Sequence, residues 1–157
     1  MSTVHRFYLI AILVLGLFLG AAMGGSPEDA VKQTLLNYAA AIESMDIAQV
    51  QRYVVTSEAF SVFENGHVNQ GWADYRDHHL APELKMFRKI EYRYEDIQVQ
   101  QSGNLAVATA KYHIAIELKD RSVTGKGLAT IVLQKAGNDW KILHIHTTRI
   151  PQKKQKK

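Results

Sequence analysis

Cysteine is absent from this 157-residue sequence. That excludes a disulfide framework, a zinc–thiolate centre and any thiolate nucleophile, so the fold must stand on an ordinary apolar core. Proline is scarce, with three in the whole chain. No Gly-x-Ser-x-Gly elbow and no phosphate-cradling glycine loop occurs, which removes the common serine-hydrolase and nucleotide-binding routes. An excess of one charge is also missing from most of the chain. The net charge is +4, but five of the 19 basic residues (Arg6, Lys153, Lys154, Lys156 and Lys157) sit at the two ends, leaving 14 against 15 acidic ones. Without a basic face or interleaved aromatics on the body, nucleic acid is not an expected partner. The basic stretch 151–157 reads as a solvated, disordered tail.

Long apolar runs are limited to one, Phe7 to Leu19. It follows His5 and Arg6 and precedes the small residues Gly20 to Gly25, the pattern of an export signal over residues 1–25 with a mature start near Ser26. The rival reading keeps 7–26 as a membrane anchor, since roughly 20 residues span a bilayer. Both place the remaining domain, 26–150, outside the cytoplasm, in a periplasm or the medium, and only the second ties it to a membrane.

Within that domain, Ser26, Pro27 and Asp29 open a helix with a capping box. Val31, Leu35, Tyr38, Ile42 and Met45 recur on its buried stripe. Asp46 with Gln49 starts a second, short helix. Ala59 to Glu64 is strand-like, Asn65-Gly66 is a turn, and Gly71 to Leu80 reads as a third helix that Pro82 interrupts. A meander follows: Ile90 to Gln100 with a parity change at Glu95-Asp96 that predicts a bulge, then Leu105 to Leu118, Val123 to Lys135, and the strand from Trp140 to Thr148. Helices first and long antiparallel strands after them define an α+β layout.

The order of these pieces resembles the nuclear transport factor 2-like superfamily, which includes ketosteroid isomerase, the SnoaL-like polyketide cyclases and the association domain of calcium/calmodulin-dependent kinase. The carriers are the helix ending at Met45-Asp46-Ile47 with Tyr38 eight residues earlier, the Phe60 to Gly66 strand and turn, the Gly71 helix, and the final Trp140-Lys141-Ile142-Leu143-His144-Ile145-His146 strand. The resemblance implies three N-terminal helices packed on a strongly curved, mainly antiparallel sheet, a cone with a cavity inside, and a homodimer through the open sheet face. Ketosteroid isomerase pairs an oxyanion-donating tyrosine with a proton-shuttling acid and a second, protonated acid. Tyr38 and Glu64 fall at the first two positions, and the third corresponds to about Ile131.

The two-residue period of the last strands puts Ile131, Leu143, Ile145 and Thr147 on the cavity face and Trp140, Ile142, His144 and His146 on the other. Tyr53, Phe63 and Trp72 join the expected pocket. His144 and His146 share a face and could co-ligate zinc with His113, but no carboxylate joins them at diagnostic spacing. They are expected as polar sheet-face or interface histidines, with no metal and no cofactor. His78-His79 reads as a helix surface pair. The leading functional reading is a domain that binds a small, mostly apolar molecule or serves as a dimeric assembly module. Its alternative is an isomerase, dehydratase or cyclase with Glu64 as base and Tyr38 as oxyanion donor. A third reading fills the cone with Tyr38, Tyr53, Phe63 and Trp72.

Overall fold

The computed structural model describes residues 26–151, and the expected signal over 1–25 lies outside them. Helix α1 (Pro27–Glu43) begins where Ser26 N–H donates to Asp29 Oδ2 at 2.9 Å and Asp29 N–H donates to Ser26 Oγ at 3.2 Å. Reciprocal satisfaction of two orphan donors is what a capping box supplies. Val31, Leu35, Tyr38 and Ile42 form its buried stripe. Met45 departs from the expected stripe: the helix has already ended, and Met45 sits at φ 55° with its side chain exposed. Asp46 then caps α2 (Ile47–Gln51), accepting from the backbone of Ala48 and Gln49.

Strands β1 (Ser61–Glu64) and β2 (His67–Gln70) form a hairpin around Asn65 and Gly66, both at positive φ as a two-residue primed turn requires. The third helical segment does not stop at Pro82. It runs as α3 (Trp72–Tyr75), a π turn (Arg76–Leu80) and α4 (Ala81–Met86). In the wide turn Ala81 N–H reaches back to Arg76 O. Such a turn gives room for a proline ring that an unbroken α-helix would reject, which is why the helix survives where a break was expected.

Strands β3 (Lys89–Ser102), β4 (Leu105–Glu117), β5 (Ser122–Ala136) and β6 (Asp139–Arg149) pair in sequence as antiparallel neighbours. The full six-stranded order is β2-β1-β6-β5-β4-β3, with β1 and β6 parallel. Helix α1 packs across the sheet, chiefly on β3. At its end Glu43 accepts a 2.7 Å hydrogen bond from Tyr92 N–H, fixing the helix to that edge strand. The fully buried centre comprises Val31, Leu35, Val50, Phe60, Ile131, Leu133 and Ile142. This is the α+β architecture expected, with the helix count altered by the composite third helix. Among the described residues no helix is long and apolar enough to cross a membrane.

Two bulges set which side chains face inward. The first lies between Glu95 and Gln98, with Asp96 at φ 53°, where the parity change of the sequence placed it. The second was not foreseen. Val132 pairs with His144 but Leu133 pairs with Ile142, so Leu143 is the extra residue. Trp140 and Ile142 therefore turn inward and are buried, while Leu143 leaves the inner face. Beyond the bulge Ile145 and Thr147 are buried, and His144 and His146 stay on the outer face.

Candidate functional site

The helices and the concave sheet face enclose a cavity of about 280 Å³. Its apolar wall includes Ile42, Leu84, Phe87, Ile90, Ile114 and Ile116, and its polar groups include Tyr38, Glu64, Tyr75, His79, Glu83 and Thr147. A largely apolar wall with a few converging polar groups is the usual make-up of a small-molecule site.

Tyr38 comes from the inner stripe of α1 and is 3% exposed. Burial pushes its phenol from the ordinary 10.0 up to about 12, with a hydrogen bond from Tyr75 opposing the rise and Glu64 adding to it. Tyr38 is therefore a neutral donor at any physiological pH. When Tyr75 donates to it, the Tyr38 proton is left for the cavity. Tyr92 donates to Tyr94 at 3.0 Å, and burial raises both phenols. Tyr112 completes the phenolic wall, and burial raises it too. Gly127, its partner on β5, is what allows that ring to lie against the sheet: a Cβ there would run into the ring and into Thr148 O.

Glu64 is the last residue of β1 and faces Thr147 in the parallel pairing with β6. The hydroxyl of Thr147 is buried without a hydrogen-bond partner. An unpaired buried hydroxyl costs about 1–3 kcal/mol, and Thr147 is one of the residues that line the cavity.

His79, read from the sequence as a surface residue, belongs to this wall. Its side chain is 18% exposed, against 76% for His78, which pairs with Asp74 on the outside. Nδ1 lies 2.8 Å from Asn69 Oδ1, and Nε2 lies 3.6 Å from both Glu64 Oε2 and Glu83 Oε1. Burial raises the Glu83 carboxyl, Glu64 raises it further, and His79 opposes the rise. A signal for this cluster existed. Tyr75, His79 and Glu83 are four residues apart, one face of a helix carried through Pro82.

Of the residues expected in the pocket, Tyr38, Glu64, Ile145 and Thr147 line the cavity. The others lie elsewhere. Tyr53 borders a shallow depression between α1 and α2. Phe63 is exposed on the outer sheet face, its ring edge-on to His144 at 4.9 Å and to His146 at 6.1 Å. Trp72 is buried in the core against Phe60, its Nε1–H donating to Gln51 at 3.3 Å. Ile131 is wholly buried beneath the helices, and Leu143 is the bulge residue. The cone is thus not filled by Tyr53, Phe63 and Trp72. His113 pairs with Glu95 at 3.0 Å, and His144 Nδ1 shares a 2.8 Å hydrogen bond with Ser61. Among the described residues no group of three His, Asp or Glu side chains is placed to hold a metal ion.

The chain belongs to the SnoaL-like domain family, whose pattern matches residues 31–151. Its fold is shared by a nuclear transport factor 2-like superfamily protein from Salmonella enterica, at 19% identity and a TM-score of 0.74 over 80% of this chain and 92% of that one. A candidate ketosteroid isomerase from Shewanella frigidimarina is similar at 23% identity and 0.64, covering 76% and 94%. The CaMKII hub of S. rosetta is similar at 21% identity and 0.63, covering 81% and 99%. No curated protein matches the sequence.

Proposed function

We propose that the cavity binds a small, mostly apolar molecule bearing a carbonyl oxygen and moves a proton on it, as an isomerase, dehydratase or cyclase does. The observation that carries this is the convergence of Tyr38, Glu64 and the unpaired Thr147 hydroxyl on one apolar cavity. In the step, the C–H bond α to the carbonyl breaks and its proton passes to the Glu64 carboxylate. The electron pair moves onto the oxygen as an enolate, which accepts a hydrogen bond from the neutral Tyr38 hydroxyl. Return of the proton to the same or a conjugated carbon completes a balanced cycle without a cofactor. The naming of the Shewanella relative as a candidate ketosteroid isomerase supports the same chemistry.

The test is α-proton exchange of cyclic ketones, 2-tetralone first, followed by NMR in heavy water. Saturable exchange above the buffer rate, lost in Glu64→Gln and reduced in Tyr38→Phe, is expected. Binding of 2-naphthol without any enhanced exchange would overturn catalysis and leave a ligand-binding domain.

A homodimer through the outer sheet face is the second proposal. Phe63, Val68, Val107 and Leu128 are exposed there, and strands β1, β2, β4 and β5 present them together. A monomer in sedimentation at micromolar concentration would sink it. Export of the domain is proposed from the 7–19 apolar run, and a mature N-terminus near Ser26 on protein from its own host is the expected sequencing result.

A further inference from the structure

His79 sits between two carboxylates with one ring nitrogen hydrogen-bonded, and the role of each nitrogen can be read from its neighbours. Asn69 Nδ2 donates to Asp74 Oδ2 at 3.1 Å, and Gln70 N–H and His78 also bind Asp74. That leaves Asn69 Oδ1 facing His79 Nδ1 at 2.8 Å. An amide oxygen only accepts, so Nδ1 carries a hydrogen. The opposite amide orientation would set Asn69 oxygen against the Asp74 carboxylate, acceptor against acceptor. Nε2 is then the nitrogen turned to the cavity, 3.6 Å from Glu64 and 3.6 Å from Glu83. Both carboxylates lie within ion-pair distance of Nε2 and just beyond direct hydrogen-bond reach, so a proton placed on Nε2 is attracted by both.

We infer that His79 is a positioning residue for Glu64: the Asn69–Asp74 pair fixes its tautomer, and Nε2 shares a proton with Glu64 and Glu83 on the cavity wall. The inference rests in part on the reading of Glu64 as the proton acceptor. It assigns Glu64 a fixed orientation, and it gives the proton it takes a second resting place that is not the ligand. Ring packing against Tyr75 at 5.2 Å holds the imidazole plane. The charged or titratable groups facing the ring are Glu64 from β1, Glu83 from α4 and Tyr75 from α3, with Asp74 beyond Asn69. Tyr38 and Arg149 lie farther along the same cavity. Burial raises the Glu83 carboxyl, His79 opposes the rise and Glu64 adds to it, so the three groups act on one another electrostatically.

Three measurements on the full chain test it. In ¹⁵N NMR, His79 is expected to carry its hydrogen on Nδ1 and to lose that preference in Asn69→Ala. In ¹³C-carboxyl NMR, Glu83 is expected to titrate higher in His79→Gln and lower in Glu64→Gln. In 2-tetralone exchange, His79→Gln should lower kcat by on the order of tenfold to a hundredfold, with little change in KM and a displaced pH profile. A ring protonated at Nε2 with Nδ1 bare, or a Glu83 titration indifferent to His79→Gln, would overturn the inference. Full exchange activity in Glu64→Gln would instead overturn the proton-acceptor reading, and the two NMR results would still decide the role of His79.

Discussion

Glu64 and Thr147 stand opposite each other in the parallel pairing of β1 with β6, so a carboxyl group and an unpaired buried hydroxyl belong to neighbouring residues on one wall of the cavity. One belongs to a four-residue strand and the other to the last strand of the domain. Their pairing is what the proposed recognition of an oxygen-bearing ligand rests on.

Replacing Thr147 with Val separates stability from recognition. Valine keeps the shape and removes the unpaired hydroxyl, whose burial costs about 1–3 kcal/mol. Chemical unfolding should therefore show Thr147→Val at least as stable as the parent, while its affinity for 2-naphthol, read by fluorescence, falls. Weaker folding with unchanged affinity would place the hydroxyl in the core and not in recognition.

The buried phenols make the domain sensitive to alkali. Burial raises Tyr38, Tyr75, Tyr92 and Tyr94, with Tyr38 moved from 10.0 to about 12. The neutral phenol's contribution is complete below pH 10, where both states keep the proton, and it is lost as pH rises toward 12 because the unfolded chain ionises first. For Tyr38 alone that loss is roughly 2–3 kcal/mol. Tyrosinate absorbance should lag free tyrosine and then rise together with loss of far-ultraviolet circular dichroism. Non-cooperative ionisation in a folded protein would contradict the burial of these rings.

Gly127→Ala tests the seat of Tyr112. The added Cβ meets both Thr148 O and the Tyr112 ring, so the ring must leave the sheet surface. Overpacking of this kind costs about 1–3 kcal/mol. Urea unfolding should report that loss, and 2-naphthol should bind less well because Tyr112 lines the cavity.

On the outer face, burial first and His146 second hold His144 below its ordinary 6.5. The neutral ring favours the folded state fully above pH 6.5, and that contribution is lost as pH falls through the lower folded value. Thermal unfolding should show a stability loss on mild acidification that His144→Asn reduces. If the outer face carries the proposed dimer, sedimentation should show it dissociating over the same pH range.

Much of the fold was legible because its signals are local. The capping residues Ser26 and Asp29, the Asn65-Gly66 turn and the parity break at Glu95-Asp96 each dictate backbone geometry within a few residues. The bulge at Leu143 was hidden, since Ile142 and Leu143 are both apolar and either parity gives an acceptable inner face. That one residue moved Trp140 and Ile142 indoors and left Leu143 out of the pocket. Tyr38 and Glu64 were singled out by resemblance and by position on their elements, and both line the cavity. His79 was missed because Pro82 was read as a helix end, which cut Glu83 away from it. A π turn has no signature in composition, and it was this turn that joined His79 to the cavity.

The place of β1 beside β6 also orders events in time. Ser61 meets His144, 83 residues later, while Ile142 N–H donates to Tyr53 O and Val55 N–H donates to Ile142 O. A lone two-stranded hairpin has marginal stability in water. During synthesis the β1–β2 hairpin, with Glu64 at its turn, therefore has only its contacts with α3 and the preceding turn, through Asp74 and Glu58, and no strand partner until β6 has been made. The sheet edge that carries Glu64 is completed only by the last strand, and a chain cut short before Trp140 should retain helix-forming sequence yet never build the cavity.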